Sequence, residues 1–263
     1  MKYFDAHCHI QFAQYDEDRD AVIVEMREAE VGGLIVGTDS MHSQKAVALA
    51  DGLATFATVG LHPNDKPGEG YDDALFAALA KDPKVVAIGE CGLDYFRPEE
   101  PEQEKARQKE VFRKHIALAV ENDKPLMIHA RPSKGSMDAY LDAYEMLKEA
   151  QQTHGEKVRG NMHFYVGDLE TTKKFLEIGF TFSFTAVLTF ARDYDEVVRY
   201  IPLTHILSET DAPYVAPVPN RGKRNDPLAV RAVVKALAEI RGEDEEVVRE
   251  AILGNARRLF KIT

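Results

Sequence analysis

Short apolar runs rich in β-branched and aromatic residues recur about eight times along this chain, and segments of helical periodicity lie between them. The runs are Tyr3 to Cys8, Gly33 to Gly37, Thr55 to Gly60, Val85 to Gly89, Pro125 to His129, Arg159 to His163, Thr181 to Phe184 and Thr204 to Ser208. Val22, Met26 and Ala29 repeat at helical intervals, as do Val111, His115, Leu118 and Ala119, and then Tyr140, Tyr144 and Leu147. Asp18 or Asp20 is placed to cap the first helix, Pro101 opens another, and Thr171 and Thr172 begin a short one. A Pro-rich loop, Ala212 to Pro219, precedes helices expected over Pro227 to Ile240 and Glu243 to Leu253. Such alternation implies parallel strands joined by crossover helices, and about eight repeats predict a closed α/β architecture, the (β/α)8 TIM barrel.

Length and charge narrow the possibilities. A chain of 263 residues, 44% hydrophobic, has enough apolar content for a sizeable core, and its length suits one large barrel as well as two ordinary domains. No linker, low-complexity segment or repeat divides it, so residues 1–263 are expected to form a single domain. The net charge of −11 is spread along the sequence without a basic block, which argues against an extended groove for nucleic acid. A polyanionic substrate would have to be captured locally. Two cysteines, Cys8 and Cys91, rule against a disulfide framework and fit a reducing compartment. The start of the chain lacks the pattern of a secretory leader, and no apolar stretch approaches the roughly 20 residues that span a bilayer. A soluble, cytoplasmic protein with no membrane association and no obligate protein partner is the expectation.

The polar residues cluster where the apolar runs end. Asp5, His7 and His9 alternate along the first run, so two imidazoles are expected to grip one ion, with Asp5 behind them. Asp211 follows the last run and, in a closed barrel, arrives beside the first strand as a third ligand. Glu90 follows the fourth run and could give one oxygen to each of two ions, while His129 and His163 would complete the second. Two divalent ions per chain, such as Zn, Mg or Mn, suit hydrolysis, because they acidify a bound water and hold the leaving oxygen. Asp211 is assigned as proton acceptor, with Glu209 either a rival base or a support for the ligands. His62 lies outside both expected ion sites; it either orients substrate and protonates the leaving group or is a turn histidine satisfied by the backbone. Arg131, and Arg224 with its neighbours Arg221 and Lys223, are candidate phosphate contacts. Cys8 and Cys91 are read as packing, and His42, His115, His154 and His205 receive no role.

The set Phe4-Asp5-Ala6-His7-Cys8-His9, Gly60-Leu61-His62-Pro63, Ile88 to Tyr95, Pro125 to Arg131 and Ser208 to Tyr214 with Arg221 to Asn225 resembles the TatD-like metal-dependent hydrolases, in order and from end to end. The resemblance implies a distorted barrel of the amidohydrolase-like, metal-dependent hydrolase type. It implies His7, His9, Glu90 and Asp211 on one ion, and Glu90, His129 and His163 on the other. It also implies a deoxyribonuclease acting on DNA ends as a transient partner; some relatives deacylate mischarged transfer RNA. The same site could cleave a carboxylic ester, amide or lactone instead, and a non-catalytic metal-binding protein is a third reading. Pro132, where the family has an acidic residue, and Phe164-Tyr165-Val166-Gly167, in place of a small Ser-containing turn, depart from the pattern at the barrel mouth, where loops decide what a barrel accepts.

Overall fold

A computed structural model of the protein, describing residues 1–64, 70–96 and 101–263, arranges eight parallel strands in chain order around a nearly closed barrel. They are β1 (Tyr3–Cys8), β2 (Val31–Val36), β3 (Thr55–Val59), β4 (Val85–Asp94), β5 (Leu126–Arg131), β6 (Gly160–Met162), β7 (Thr181–Phe184) and β8 (Ile206–Ser208). The helices are α1 (Arg19–Glu28), α2 (Ser40–Leu49), α3 (Asp73–Leu79), α4 (Pro101–Asn122), α5 (Asp138–His154), α6 (Leu169–Glu177), α7 (Asp195–Tyr200), α8 (Val230–Arg241) and α9 (Glu245–Phe260). The seam between last and first strands is tied just past β8, where Asp211 N donates to His7 O at 2.9 Å and His9 N to Ala212 O at 2.7 Å. None of the helices among the described residues is long and apolar enough to cross a membrane.

Two apolar layers hold the strands. Phe4, Ala6, Leu34, Val36, Phe56, Ala87, Met127 and Leu207 fill the interior and meet Leu253, Ala256 and Phe260 of α9, which covers the amino-terminal end. Residues of opposite parity, such as Ile35, Val59, Ile88 and Ile128, pack outward against Val22, Met26, Phe112, Tyr140 and Leu147 of the helices. The carboxyl end of the barrel is left to polar groups.

Alternation alone does not bring His7 there. Phe4 and Ala6 face the interior, yet Cys8 packs outward, because β1 gains one residue against β2 between the pairs Asp5↔Gly33 and Cys8↔Ile35. That bulge turns His7 and His9 toward the interior.

Several segments differ from the sequence-based expectation. β4 continues past Gly89 to Asp94, β5 reaches Arg131, and Thr204–His205 fall in a 3-10 turn rather than a strand. Helices α2, α3 and α7 were not expected: α3 and α7 are only seven and six residues long, and α2 presents mainly small residues to the core, Ser43 and Ala46 with Val47. Their local signals were the caps, since Asp39 accepts from His42 N and Asp72 from Leu75 N. Asp18 stands at the start of α1 but makes no capping bond with its side chain.

His115, given no role from sequence, holds the loop after β3. It is fully buried on α4, and its Nε2 accepts from Leu61 N at 2.9 Å, one residue before His62. Burial lowers its pKa to about 4. The folded protein therefore resists protonation that the unfolded chain accepts near pH 6.5, so His115 stabilises fully above that pH and loses its contribution as pH falls through about 4, an effect on the order of 3 kcal/mol. In urea titrations the stability advantage of wild type over His115→Gln is expected to shrink across that window; a constant advantage would contradict it.

Candidate metal centre

At the carboxyl end of the barrel the expected ligands converge. His7 Nε2 and His9 Nε2 lie 3.1 Å apart, and Asp211 Oδ1 is 3.8 Å from the first and 3.5 Å from the second. Glu90 Oε2 joins this group at 3.4 Å and 3.8 Å from the same two nitrogens. The other oxygen, Glu90 Oε1, faces a different set: His129 Nδ1 at 3.0 Å, His163 Nε2 at 3.2 Å and His62 Nε2 at 3.4 Å. Two ligands about 2.1 Å from one tetrahedral ion stand roughly 3.4 Å apart. The observed separations scatter around that value, so the donor atoms have the spacing of a metal cage.

Hydrogen bonds fix which nitrogens are free to ligate. His9 Nδ1 meets Val36 O at 2.9 Å and His163 Nδ1 meets Glu209 Oε1 at 3.0 Å. Both acceptors require the proton on Nδ1, which leaves Nε2 a bare lone pair. His129 is turned the other way, with Nε2 at 3.1 Å from Asp94 Oδ2, so its free nitrogen is the Nδ1 beside Glu90. His62 Nδ1 accepts from Asn64 N at 3.0 Å, which puts its proton on Nε2, aimed at Glu90 Oε1. That tautomer suits donation rather than ligation.

Backbone geometry delivers Glu90 to the centre. β4 gains a residue against β5 between Ile88↔Leu126 and Cys91↔Ile128. Gly89 (φ +144°) and Gly92 (φ +134°) flank the bulge, and a Cβ would come within 2.4 Å of Met127 O at the first and 2.1 Å of His129 O at the second. Only glycine lets β4 approach β5 this closely. Asp211 adopts φ +53°, which carries its carboxylate over the barrel mouth from a chain just past its strand.

The electrostatics of Glu90 and His7 agree with ligation. Burial works against charge on Glu90, yet the imidazoles of His62, His163 and His7 hold its carboxyl well below the usual range. Burial, and then the stacked His163 ring 3.6 Å away, lowers His7 to about 3, so it is neutral as a ligand must be. His163 is the exception: burial opposes a proton on it, but Glu209 and Glu90 raise its pKa well above the ordinary value, so a cation at its Nε2 would have to displace a proton.

The contacts of Glu209 fit the supporting role of the two left open for it. It is fully buried and engaged by His163, by Phe164 N at 2.6 Å and by Ser183 Oγ at 2.5 Å, so neither oxygen is free to serve as a base. Asp5 braces the neighbouring turn, accepting from His7 N and from Thr210 N and Oγ1. Glu209→Gln is expected to weaken metal affinity about 10- to 100-fold by calorimetric titration, with turnover recovered at saturating metal. Activity lost at saturating metal would instead make Glu209 the base.

The cavity above these groups has a volume of about 550 Å³ and is also lined by Phe12, Phe164 and Tyr214. Arg131 stands on its wall with the guanidinium 3.9 Å over the Phe96 ring. Arg224 does not join it. Its guanidinium holds Asp18 through bonds of 2.7 and 2.5 Å and lies over Tyr15, so the phosphate contact expected of it has no basis in the geometry. Cys8 Sγ and Cys91 Sγ are buried against Leu34 O and Met127 O, as packing residues would be.

Sequence reasoning left two participants unassigned. Asp94 is buried and holds His129, and also accepts from Asn64 Nδ2 at 2.8 Å. Its signal was its spacing, four residues beyond Glu90 on the same face of one strand. Phe12 stacks on the His9 ring with centroids 4.5 Å apart, a contact no local pattern announces.

Comparison with known proteins places this geometry in a family. The model described as TatD related DNase matches residues 4–261. The chain is 38% identical to the uncharacterized metal-dependent hydrolase YabD of Bacillus subtilis, over 98% of this chain and 99% of that one. It is 32% identical to the 3'-5' ssDNA/RNA exonuclease TatD of Erwinia billingiae, over 98% and 99%. The crystal structure of YjjV, a TatD homolog from Escherichia coli K12, superposes with a TM-score of 0.88 at 26% identity, covering 100% of this chain and 99% of that one. Fold, donor set and sequence thus converge on one conclusion: this chain belongs to the TatD family of metal-dependent hydrolases.

Proposed function

We propose that the protein is a phosphodiesterase that trims the ends of single-stranded DNA, using two divalent cations that His7, His9, Glu90, His129, His163 and Asp211 would hold. The observation that supports this reading best is the division of Glu90: Oε2 faces His7 and His9, while Oε1 faces His129 and His163. His7, His9 and Asp211 would hold one cation with Glu90, and His129 and His163 the other. Bound divalent cations supply an acidified water and charge neutralisation at a phosphoryl oxygen. The chain's own residues do the rest. Asp211, whose carboxylate lines the cavity beside His9, accepts the proton of the attacking water. His62, with its proton on Nε2, can donate a hydrogen bond to the leaving oxygen and orient it while keeping that proton. Arg131, kept flat by Phe96, presents its free edge to a non-bridging phosphate oxygen. Phe12, Phe164 and Tyr214 give bases apolar walls to stack against, which suits a single strand better than a duplex.

An acidic chain whose sequence has no basic block makes no long electrostatic contact, so binding is brief and limited to the strand end, in keeping with a cytoplasmic enzyme that needs no protein partner. The name of the Erwinia relative agrees with this substrate class. The test is hydrolysis of end-labelled single-stranded DNA with added Mg, Mn or Zn, beside an aminoacyl-tRNA and a small lactone. Stepwise shortening of the DNA is expected. Turnover of the carboxylic esters without any DNA cleavage would overturn the proposal.

A further inference from the structure

Beside the metal cavity lies a second hollow of about 480 Å³, walled by Phe190, Pro213, Val215, Arg221 and Lys223. Tyr214, 48% exposed, lines both. We propose that this hollow is a subsite for the next nucleotide of the strand, whose phosphate is held by Arg221 and Lys223 and whose base lies against Tyr214. The inference rests on the phosphodiesterase reading and adds a place for the part of the substrate that is not cut.

Three observations carry it. Arg221 is laid over Phe190, with its central carbon 3.9 Å from the ring centroid, a contact that engages the face of the guanidinium rather than its N–H groups, and the residue is exposed. Among the described residues, neither Arg221 nor Lys223 has a carboxylate partner, whereas the adjacent Arg224 is bound to Asp18. The shared wall is aromatic and exposed, a surface on which a base of any identity stacks. Charge explains the need. The protein carries −11 overall, so a second phosphate entering beside Asp211 would be repelled unless a local cation met it. Cations held by the candidate centre would neutralise only the phosphate at the reacting bond.

The test pairs two substrates and one double variant, Arg221→Ala with Lys223→Ala, on metal-supplemented protein. Both residues are exposed, so the fold is expected to survive, and an unchanged unfolding temperature checks it. On a single-stranded oligonucleotide of about twelve residues, kcat/KM is expected to fall roughly tenfold, mostly through KM. On the p-nitrophenyl ester of thymidine 5'-phosphate, which reaches only the metal cavity, the rate stays at the wild-type value. Binding of a phosphorothioate strand, read by fluorescence anisotropy, is expected to weaken to match, and the slope of log affinity against log salt to lessen by about 1.4, or about 0.7 for each lost cation. Equal loss on both substrates, no loss on either, an unchanged salt slope, or no binding by wild type overturns the subsite. Failure of wild type to cleave either substrate is a different result and removes the phosphodiesterase reading itself.

Discussion

Glu90→Gln is expected to lower turnover at least a thousandfold, which corresponds to about 4 kcal/mol of transition-state stabilisation. Glutamine fills the same space but carries no charge, and it can no longer give a negative oxygen to each of two nitrogen sets. The loss should be visible without substrate. Added metal stabilises the folded protein by binding it in preference to the unfolded chain, so wild type gains melting temperature on titration with Mn or Zn, and Glu90→Gln gains far less. The variant also removes a carboxylate that, against burial, raises the pKa of His129 and His163, so both imidazoles are less readily protonated without metal. Retention of activity within about tenfold of wild type would show that the split carboxylate is incidental.

Asp211→Asn is expected to separate ligation from proton transfer. His7, His9 and Glu90 remain within 3.8 Å of one another in its absence, so the metal gain in melting temperature should largely survive. Turnover should not. A missing general base costs about 10²- to 10⁴-fold, and excess metal cannot restore it. The contrast with Glu209→Gln is then sharp, because that variant is rescued by metal and this one is not. Rescue of Asp211→Asn by metal would reduce Asp211 to a ligand and require a different proton acceptor.

Much of this site was legible in the chain. Catalytic groups of a (β/α)8 barrel collect at the carboxyl ends of its strands, and the six expected ligands lie at or near those ends. What the sequence could not show is how they get there. By strict alternation His7 would face the helices with Asp5; the bulge in β1 redirects it. Glu90 is not at the end of a run, as its surroundings suggested, but inside a ten-residue strand whose continuation, Cys91-Gly92-Leu93-Asp94, is interrupted by a glycine and ends on a carboxylate, so it does not resemble one. Bulges are set by pairing with a neighbouring strand, and that neighbour lies some tens of residues away. The misassignment of Arg224 has the same origin. Proximity to Asp211 in the chain suggested the cavity, while Asp18, more than 200 residues earlier, claims the side chain in space.

The supporting groups were hidden for a related reason. Glu209 and Asp94 serve histidines on other strands, so their roles depend on lateral contacts that no spacing rule encodes. The division of nitrogens among Nδ1 and Nε2 is likewise a tertiary fact. Asn64 N, Val36 O, Asp94 and Glu209 each select one tautomer, and only their positions separate His62, a donor, from His9, His129 and His163, which are free to ligate.

Elemental analysis of protein purified without added metal, beside Glu90→Gln prepared identically, tests the central claim most directly. Two divalent ions per chain in wild type, with clear loss in the variant, is the expected result. One ion or none in wild type after equilibration with Zn and Mn, or equal loading of both proteins, would contradict a centre built on the two oxygens of Glu90.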